Sequence, residues 1–197
     1  AVPWIGIAGP EDRVDVARLT AEMLSAGGFR VAEAGSQGRP AVEAVLDDAP
    51  RDVIVLELSE FQLRGAHSLA LHSAAVLDVG DDNAALARCY ERVTHACLYN
   101  AQVQATERMV EEAEVTEGAR AIGFTTEIPA VAMVGIVDGL IVDRAFVPQR
   151  QSSALELANA ADAGEHVALA CAAAALARGL AVPPRAVAEG LRAWSGQ

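Results

Sequence analysis

What most constrains this chain is a regular alternation of short apolar runs with helical patterns. Runs rich in Val, Ile, Leu and Ala recur at 4–8, 29–34, 52–58, 74–79, 96–99 and 121–124, bounded by Gly, Asp or Asn, and read as buried strands. Between them lie helical patterns at 13–26, 40–46, 84–93 and 103–113. Such alternation predicts an α/β fold with a mainly parallel sheet flanked by helices on both faces. The stretch 131–146 breaks the rhythm: Val137-Asp138-Gly139-Leu140 is a turn signal between β-branched residues and predicts a small antiparallel hairpin. Two helices follow, an Ala-rich one near 166–177 and one opened by Pro183-Pro184 that runs to about Trp194. With 197 residues, 52% of them hydrophobic, and no linker, repeat or low-complexity tract, one domain over 1–197 is expected.

Composition excludes several partners. A formal charge of −12 repels phosphate backbones, and no basic stripe with interleaved aromatics occurs, so neither nucleic acid nor an anionic membrane is expected. No apolar run approaches the roughly 18 residues of a membrane span, and the first residues carry no basic region or cleavage signal, so a soluble, untargeted protein is expected. Cys89, Cys97 and Cys171 are odd in number and lack CxxC spacing, which argues against a disulfide framework or zinc knuckle and for the reducing cytoplasm.

At residues 57–63 the chain reads ELSEFQL directly after the strand DVIVL. This resembles the ELSSFQL or ELSSYQL motif of the MurD family of Mur ligases. Other segments are similar to that family in the same order: WIGIAG at 4–9 to its P-loop strand, GSQG at 35–38 to GNIG, AAVLDVGDDN at 74–83 to AVLNVTEDH, CLYNAQ at 97–102 to VVNADD, and GEHVALACAAAALA at 164–177 to the GxHNxxNALAAxAA helix. The resemblance covers essentially the whole chain. It implies the fold of the family's central, nucleotide-binding domain, without the UDP-binding domain and the Rossmann-like domain that flank it in the family.

The same resemblance implies that the nucleotide machinery is overwritten. A working P-loop needs glycines, a Lys for the outer phosphates and Ser or Thr for magnesium. After Gly9 this chain has Pro10, Glu11, Asp12, Arg13, Val14 and Asp15. Pro10 removes an N–H donor, and each acid facing a phosphate adds repulsion of roughly 1 kcal/mol at 4 Å in water and about four times that near a protein surface. Read without the family, Pro-Glu-Asp is an ordinary helix start, with the acids at the positive end of the macrodipole. Glu57 matches the family's magnesium-binding glutamate, and Asp81 and Asp82 keep an acidic pair. The histidine that follows in the family is Asn83, the GNIG asparagine is Ser36, and the two asparagines of GxHNxxN are Val167 and Ala170. The carbamylated lysine has no match, the nearest positions being Ala87 and Arg88.

The surviving polar residues admit two readings each. Glu57, Asp78, Asp81 and Asp82 belong at the carboxyl edge of the sheet, where open parallel sheets bind ligands. They could act as general acid and base, or sit in solvated loops and cap the helices that follow. His166 is a general-base candidate, with an unperturbed pKa of about 6.5, or a structural residue of the Ala-rich helix. The candidate catalytic set is Glu57, Asp82 and His166, and the candidate substrate-binding set is Gly9, Ser59, Glu60 and Asp81. No metal or cofactor is expected. Glu60, where the family has serine, points toward the old nucleotide site or is a surface charge. His67, His72 and His95 lack metal-ligand spacing and read as surface or packing residues. Asp143-Arg144 reads as a surface ion pair, and no serine has a nucleophile-elbow context.

Three functions are compatible with these residues. The first is an ATP-independent small-molecule enzyme of the acid–base cyclisation or isomerisation type in a biosynthetic pathway. The second is a non-catalytic pseudoenzyme that binds a partner or forms a homo-oligomer. The third is residual ATP binding with Mur ligase activity. An open polar cavity around Gly9, Glu57 and Asp81 favours the enzyme, and one filled by side chains favours the binding module.

Overall fold

The computed structural model describes residues 2–10 and 12–194; Glu11, one of the acids in the altered loop, lies outside them. In chain order the elements are β1 (Trp4–Ala8), α1 (Arg13–Ala26), β2 (Val31–Gly35), α2 (Ala41–Leu46), β3 (Val53–Leu58), α3 (Glu60–Gly65), β4 (Ser73–Val76) and α4 (Asn83–Ala87). There follow β5 (Ala96–Asn100), α5 (Gln104–Glu111), β6 (Arg120–Phe124), β7 (Met133–Val137), β8 (Leu140–Asp143), β9 (Leu155–Asn159), α6 (Val167–Gly179) and α7 (Pro184–Trp194).

The strands form one nine-stranded sheet in the order β2-β3-β1-β4-β5-β6-β7-β8-β9. Pairing is parallel from β2 through β7 and antiparallel for β7–β8 and β8–β9. The expected mainly parallel α/β sheet with a small antiparallel part is therefore what forms. The hairpin turn lies at the predicted Asp138-Gly139, both with positive φ (49° and 78°), as a tight two-residue turn between twisted strands requires.

Helices α1, α6 and α7 cover one face, and α2 to α5 the other. Ala-rich α6 buries everything from Ala170 to Ala177, and its small side chains let the helix lie close on the sheet. Closer still, a Cβ added at Gly190 of α7 would come within 2.6 Å of the Met23 backbone, so α7 and α1 touch main chain to main chain. Helix α1 ends where the sequence turns to Gly27-Gly28: Gly28 has φ 89°, its N–H bonds to Ser25 O at 2.9 Å and Phe29 N–H to Leu24 O at 3.1 Å, a Schellman stop that feeds β2.

Three elements differ from the sequence expectation. The 84–93 helix is only Asn83–Ala87 with a 3-10 turn at Arg88–Tyr90, because the Tyr90 side chain turns inward to hydrogen-bond Val76 N–H and Leu98 O, and Arg92 takes a left-handed φ of 59°. Helix α3 and strand β9 were not anticipated. The Asp143-Arg144 pair is also corrected. Asp143 is fully buried and its carboxylate is bound by Arg178 Nε at 2.8 Å and by the N–H groups of Ala145 and Phe146, while Arg144 donates to Pro129 O.

Candidate functional site

The carboxyl ends of β1 and β3 lie side by side, with Ala8 opposite Leu58, which brings the loop after Gly9 next to Glu57. Glu57 belongs to a strand buried along its whole length, and its side chain is only 5% exposed. A carboxylate this buried must have its oxygens bonded. Oε2 accepts from Arg13 Nε at 3.1 Å and from Ser36 Oγ at 2.7 Å, and Oε1 accepts from the Gln37 backbone N–H. Gly35 is what allows the last two contacts: a Cβ there would stand 2.2 Å from Glu57 O, so only glycine lets the β2 loop fold over the carboxylate.

Arg13 is used on every nitrogen. Besides Glu57, its Nη1 donates to the carbonyls of Gly9 (3.3 Å) and Pro10 (3.1 Å), and its Nη2 donates to Ser36 Oγ at 3.2 Å. The side chain is 13% exposed. The loop after β1 therefore points carbonyl oxygens inward at a cation. A phosphate cradle has the opposite polarity, with N–H groups directed at an anion. The helix-start reading of this loop holds for the backbone, with Val16 N–H on Asp12 O at 3.0 Å, but Asp12 gives no side-chain cap.

The other candidates have structural partners of their own. Ser59 and Gln62 form a capping box at the start of α3: Ser59 Oγ accepts from Gln62 N–H at 3.3 Å, and Gln62 Oε1 accepts from Ser59 N–H at 3.0 Å. Glu60 leans on Gly80, where a Cβ would meet its Oε1 at 1.9 Å, and pairs with Arg64 at 3.8 Å. Asp82 caps α4 through Ala85 N–H at 3.0 Å and meets Arg64 Nε at 2.8 Å; the Arg64 guanidinium, more than the Ala85 amide, holds its carboxyl below the ordinary value. Asp81 is exposed in the loop between, which Asn83 closes by accepting from Gly80 N–H at 3.2 Å.

His166 lies elsewhere, at the start of α6, edge-on to Trp194 with ring centroids 5.3 Å apart. It lines a cleft of about 560 Å³ with Asp15, Arg18, Glu165 and Trp194, and neither Glu57 nor Asp82 lines it. Glu57, Asp82 and His166 thus have separate partner sets. Among the described residues, no group of three or more His, Cys, Asp or Glu is arranged to hold a metal ion.

No family model matches the chain. Sequence relatives do. The chain is 42% identical over 209 residues to the UDP-N-acetylmuramoylalanine–D-glutamate ligase of Streptomyces avermitilis, matching 98% of this chain and 45% of that protein. It is 41% identical to the enzyme of the same name from Streptomyces coelicolor, over 98% of this chain and 44% of the relative. The chain belongs to the MurD family of Mur ligases. It spans just under half the length of these MurD relatives. Among solved structures, a UDP-N-acetylmuramoyl-L-alanyl-D-glutamate–2,6-diaminopimelate ligase superposes with a TM-score of 0.76 over 98% of this chain and 46% of its own, at 15% identity, which shows the shared fold.

Within the MurD family, nucleotide and magnesium are what the fold implies for this edge, and the residues present do not fit them. Glu57 has both oxygens engaged by protein donors, and a guanidinium fills the loop. At the two positions where the resemblance implies nucleotide-facing asparagines, Ala170 is fully buried and Val167 packs against the core. The chain contains no lysine, since all 15 basic residues are arginines, so neither a P-loop lysine nor a carbamylated one exists within it. Counting lysines needs no structure, and it would have sharpened the sequence reading. The Ser59-x-x-Gln62 spacing was equally legible as a helix start. The Arg13–Glu57 contact was not, because it joins residues 44 apart.

Proposed function

We propose that this MurD-like domain does not carry out ATP-dependent ligation and serves as a non-catalytic binding module. The observation that carries this reading is the inverted polarity of the loop after β1, where Gly9 and Pro10 carbonyls and the Glu57 carboxylate enclose the Arg13 guanidinium. An anion entering there loses the donors it needs and meets acceptors, and the missing lysine removes the usual remedy. Self-association fits the exposed Val42, Val45 and Leu46, at 62%, 48% and 75% exposure, which occupy i, i+3 and i+4 on one face of α2. The test is calorimetry with ATP and magnesium at millimolar concentration, alongside light scattering of the same sample. No heat and a mass above the monomer are expected; saturable heat overturns the loss of nucleotide binding, and a strict monomer overturns the self-association.

One observation favours a second reading, ATP-independent small-molecule chemistry. The cleft beside His166 is open, polar and separate from the filled Arg13 loop. Its acid–base partner for His166 would be Asp15, which lines the same cleft, in place of Glu57 and Asp82. Trp194 stands in van der Waals range of the imidazole and reports on occupancy. A small-molecule substrate bound there shifts Trp194 emission in the native chain and leaves the Trp194→Phe variant silent; an unchanged emission while turnover proceeds places the chemistry elsewhere.

A further inference from the structure

Away from the carboxyl edge, four side chains stack into a column at the opposite ends of the strands. His72 precedes β4 and His95 precedes β5; their rings are 4.6 Å apart and 20° from parallel. His95 in turn stacks at 6.2 Å on Phe146, just after β8, and Arg120 of β6 lies over that ring at 5.1 Å. The end of α6 closes the column, since a Cβ on Gly179 would come within 3.7 Å of Phe146 and 3.8 Å of His95. Two buried nitrogens in this column, His95 Nε2 and Arg120 Nε, have no hydrogen-bond partner among the described residues.

We propose that the His72–His95 stack is an acid-sensitive joint that fastens the segment around Phe146 and the end of α6 to the central strands. Two neutral imidazoles stack without cost, whereas two imidazoliums 4.6 Å apart repel. Beyond Ser73 Oγ, 3.0 Å from His72 Nδ1, the surroundings offer little to stabilise a proton. The charged groups nearby are Arg120, Arg150, which raises the positive potential at Arg120, and Arg178 at the end of α6. The carboxylate among them, Asp143, is already bound by Arg178 and by the Ala145 and Phe146 amides. On the open side, His72 lines a cleft with His67, whose ring nitrogen meets Arg88 Nη2 at 3.1 Å. The carbonyl end of the α6 dipole favours a cation weakly and is outweighed by burial and by Arg120.

Burial, then the neighbouring charge of His95 for His72 and of Arg120 for His95, places both imidazoles below their ordinary value of 6.5. A depressed histidine adds stability that is complete above the unfolded-state value, about 6.5, and is lost as pH falls through the folded-state value. The joint therefore holds at neutral pH and loosens in mild acid.

The test compares the native chain with His95→Phe and with the His72→Phe/His95→Phe double variant, which keep aromatic stacking and remove one or both proton sites. Chemical denaturation at pH 7.5 and 5.0 is expected to show a larger fall in midpoint for the native chain than for either variant, and hydrogen exchange at pH 5.0 to rise first in residues 144–150. Proton NMR of the imidazoles in the native chain gives a second readout that needs no variant. Both rings titrating below 6.5 is the expected result. Titration of His72 and His95 at or above 6.5, or equal midpoint falls in native chain and variants, overturns the proposal.

Discussion

Arg178→Ala is expected to lower folding stability by roughly 3–5 kcal/mol, the range for removing one partner of a buried ion pair. Asp143 is fully buried, and with Arg178 gone its Oδ2 loses the 2.8 Å bond while Oδ1 keeps only the Ala145 and Phe146 amides. The arginine also carries a second bond, Nη1 to Val182 O at 2.6 Å, which holds the turn between α6 and α7. At about 2–4 °C per kcal/mol for a chain of this size, the melting temperature should fall on the order of 10 °C. The Arg178→Met/Asp143→Asn double variant, with neither charge, should lose less than Arg178→Ala alone. A single-variant loss below about 1 kcal/mol, as for a solvated surface pair, contradicts the buried-pair description.

The second large effect concerns Arg13. Arg13→Met leaves Glu57 in a strand buried on all sides with only Ser36 Oγ and the Gln37 amide as donors, and a loss of about 3 kcal/mol is expected, the low end for a broken buried pair because those donors remain. Adding Glu57→Gln should restore much of it, so that a double-mutant cycle gives a coupling energy well above that of an exposed pair. Calorimetry on Arg13→Met separates stability from function. The opened loop still has Pro10, Asp12 and no lysine, so ATP with magnesium should give no heat. Nucleotide binding gained on this one substitution would show that the guanidinium alone had been the barrier.

How far the sequence carried is clear from these two pairs. Strands announce themselves through local apolar runs, and α1 through an uninterrupted pattern ended by Gly27-Gly28, so a mainly parallel sheet and the place of α1 follow from β–α alternation, while the strand order does not. Asp143 and Arg178 are 35 residues apart, and Arg13 and Glu57 are 44 apart, and nothing in the spacing of either pair marks it. Asp143-Arg144 reads as a pair because the two are adjacent, yet Asp143 at the end of β8 is turned inward to Arg178 while Arg144, one residue past the strand, donates to Pro129 O. Helix α3 differs in kind: its Ser59/Gln62 capping box is local and legible in the sequence, inside the same ELSEFQL motif that carries the family resemblance. Strand β9, at the sheet edge, has the weak alternation of a segment buried mainly at Leu157 and Ala158.

The main-chain contact between α7 and α1 at Gly190 and Met23 sets an order of events during synthesis. Helix α1 leaves the ribosome well before α7, the helix that covers it and the last of the described elements. Until α7 has emerged, the part of α1 around Met23 that meets Gly190 lacks its final cover, although α6 and the sheet already pack on the rest of the helix. Shape selectivity at Gly190 then does the rest: a glycine-sized notch admits α7 in one register, so closure of the fold is late, long-range and single-valued.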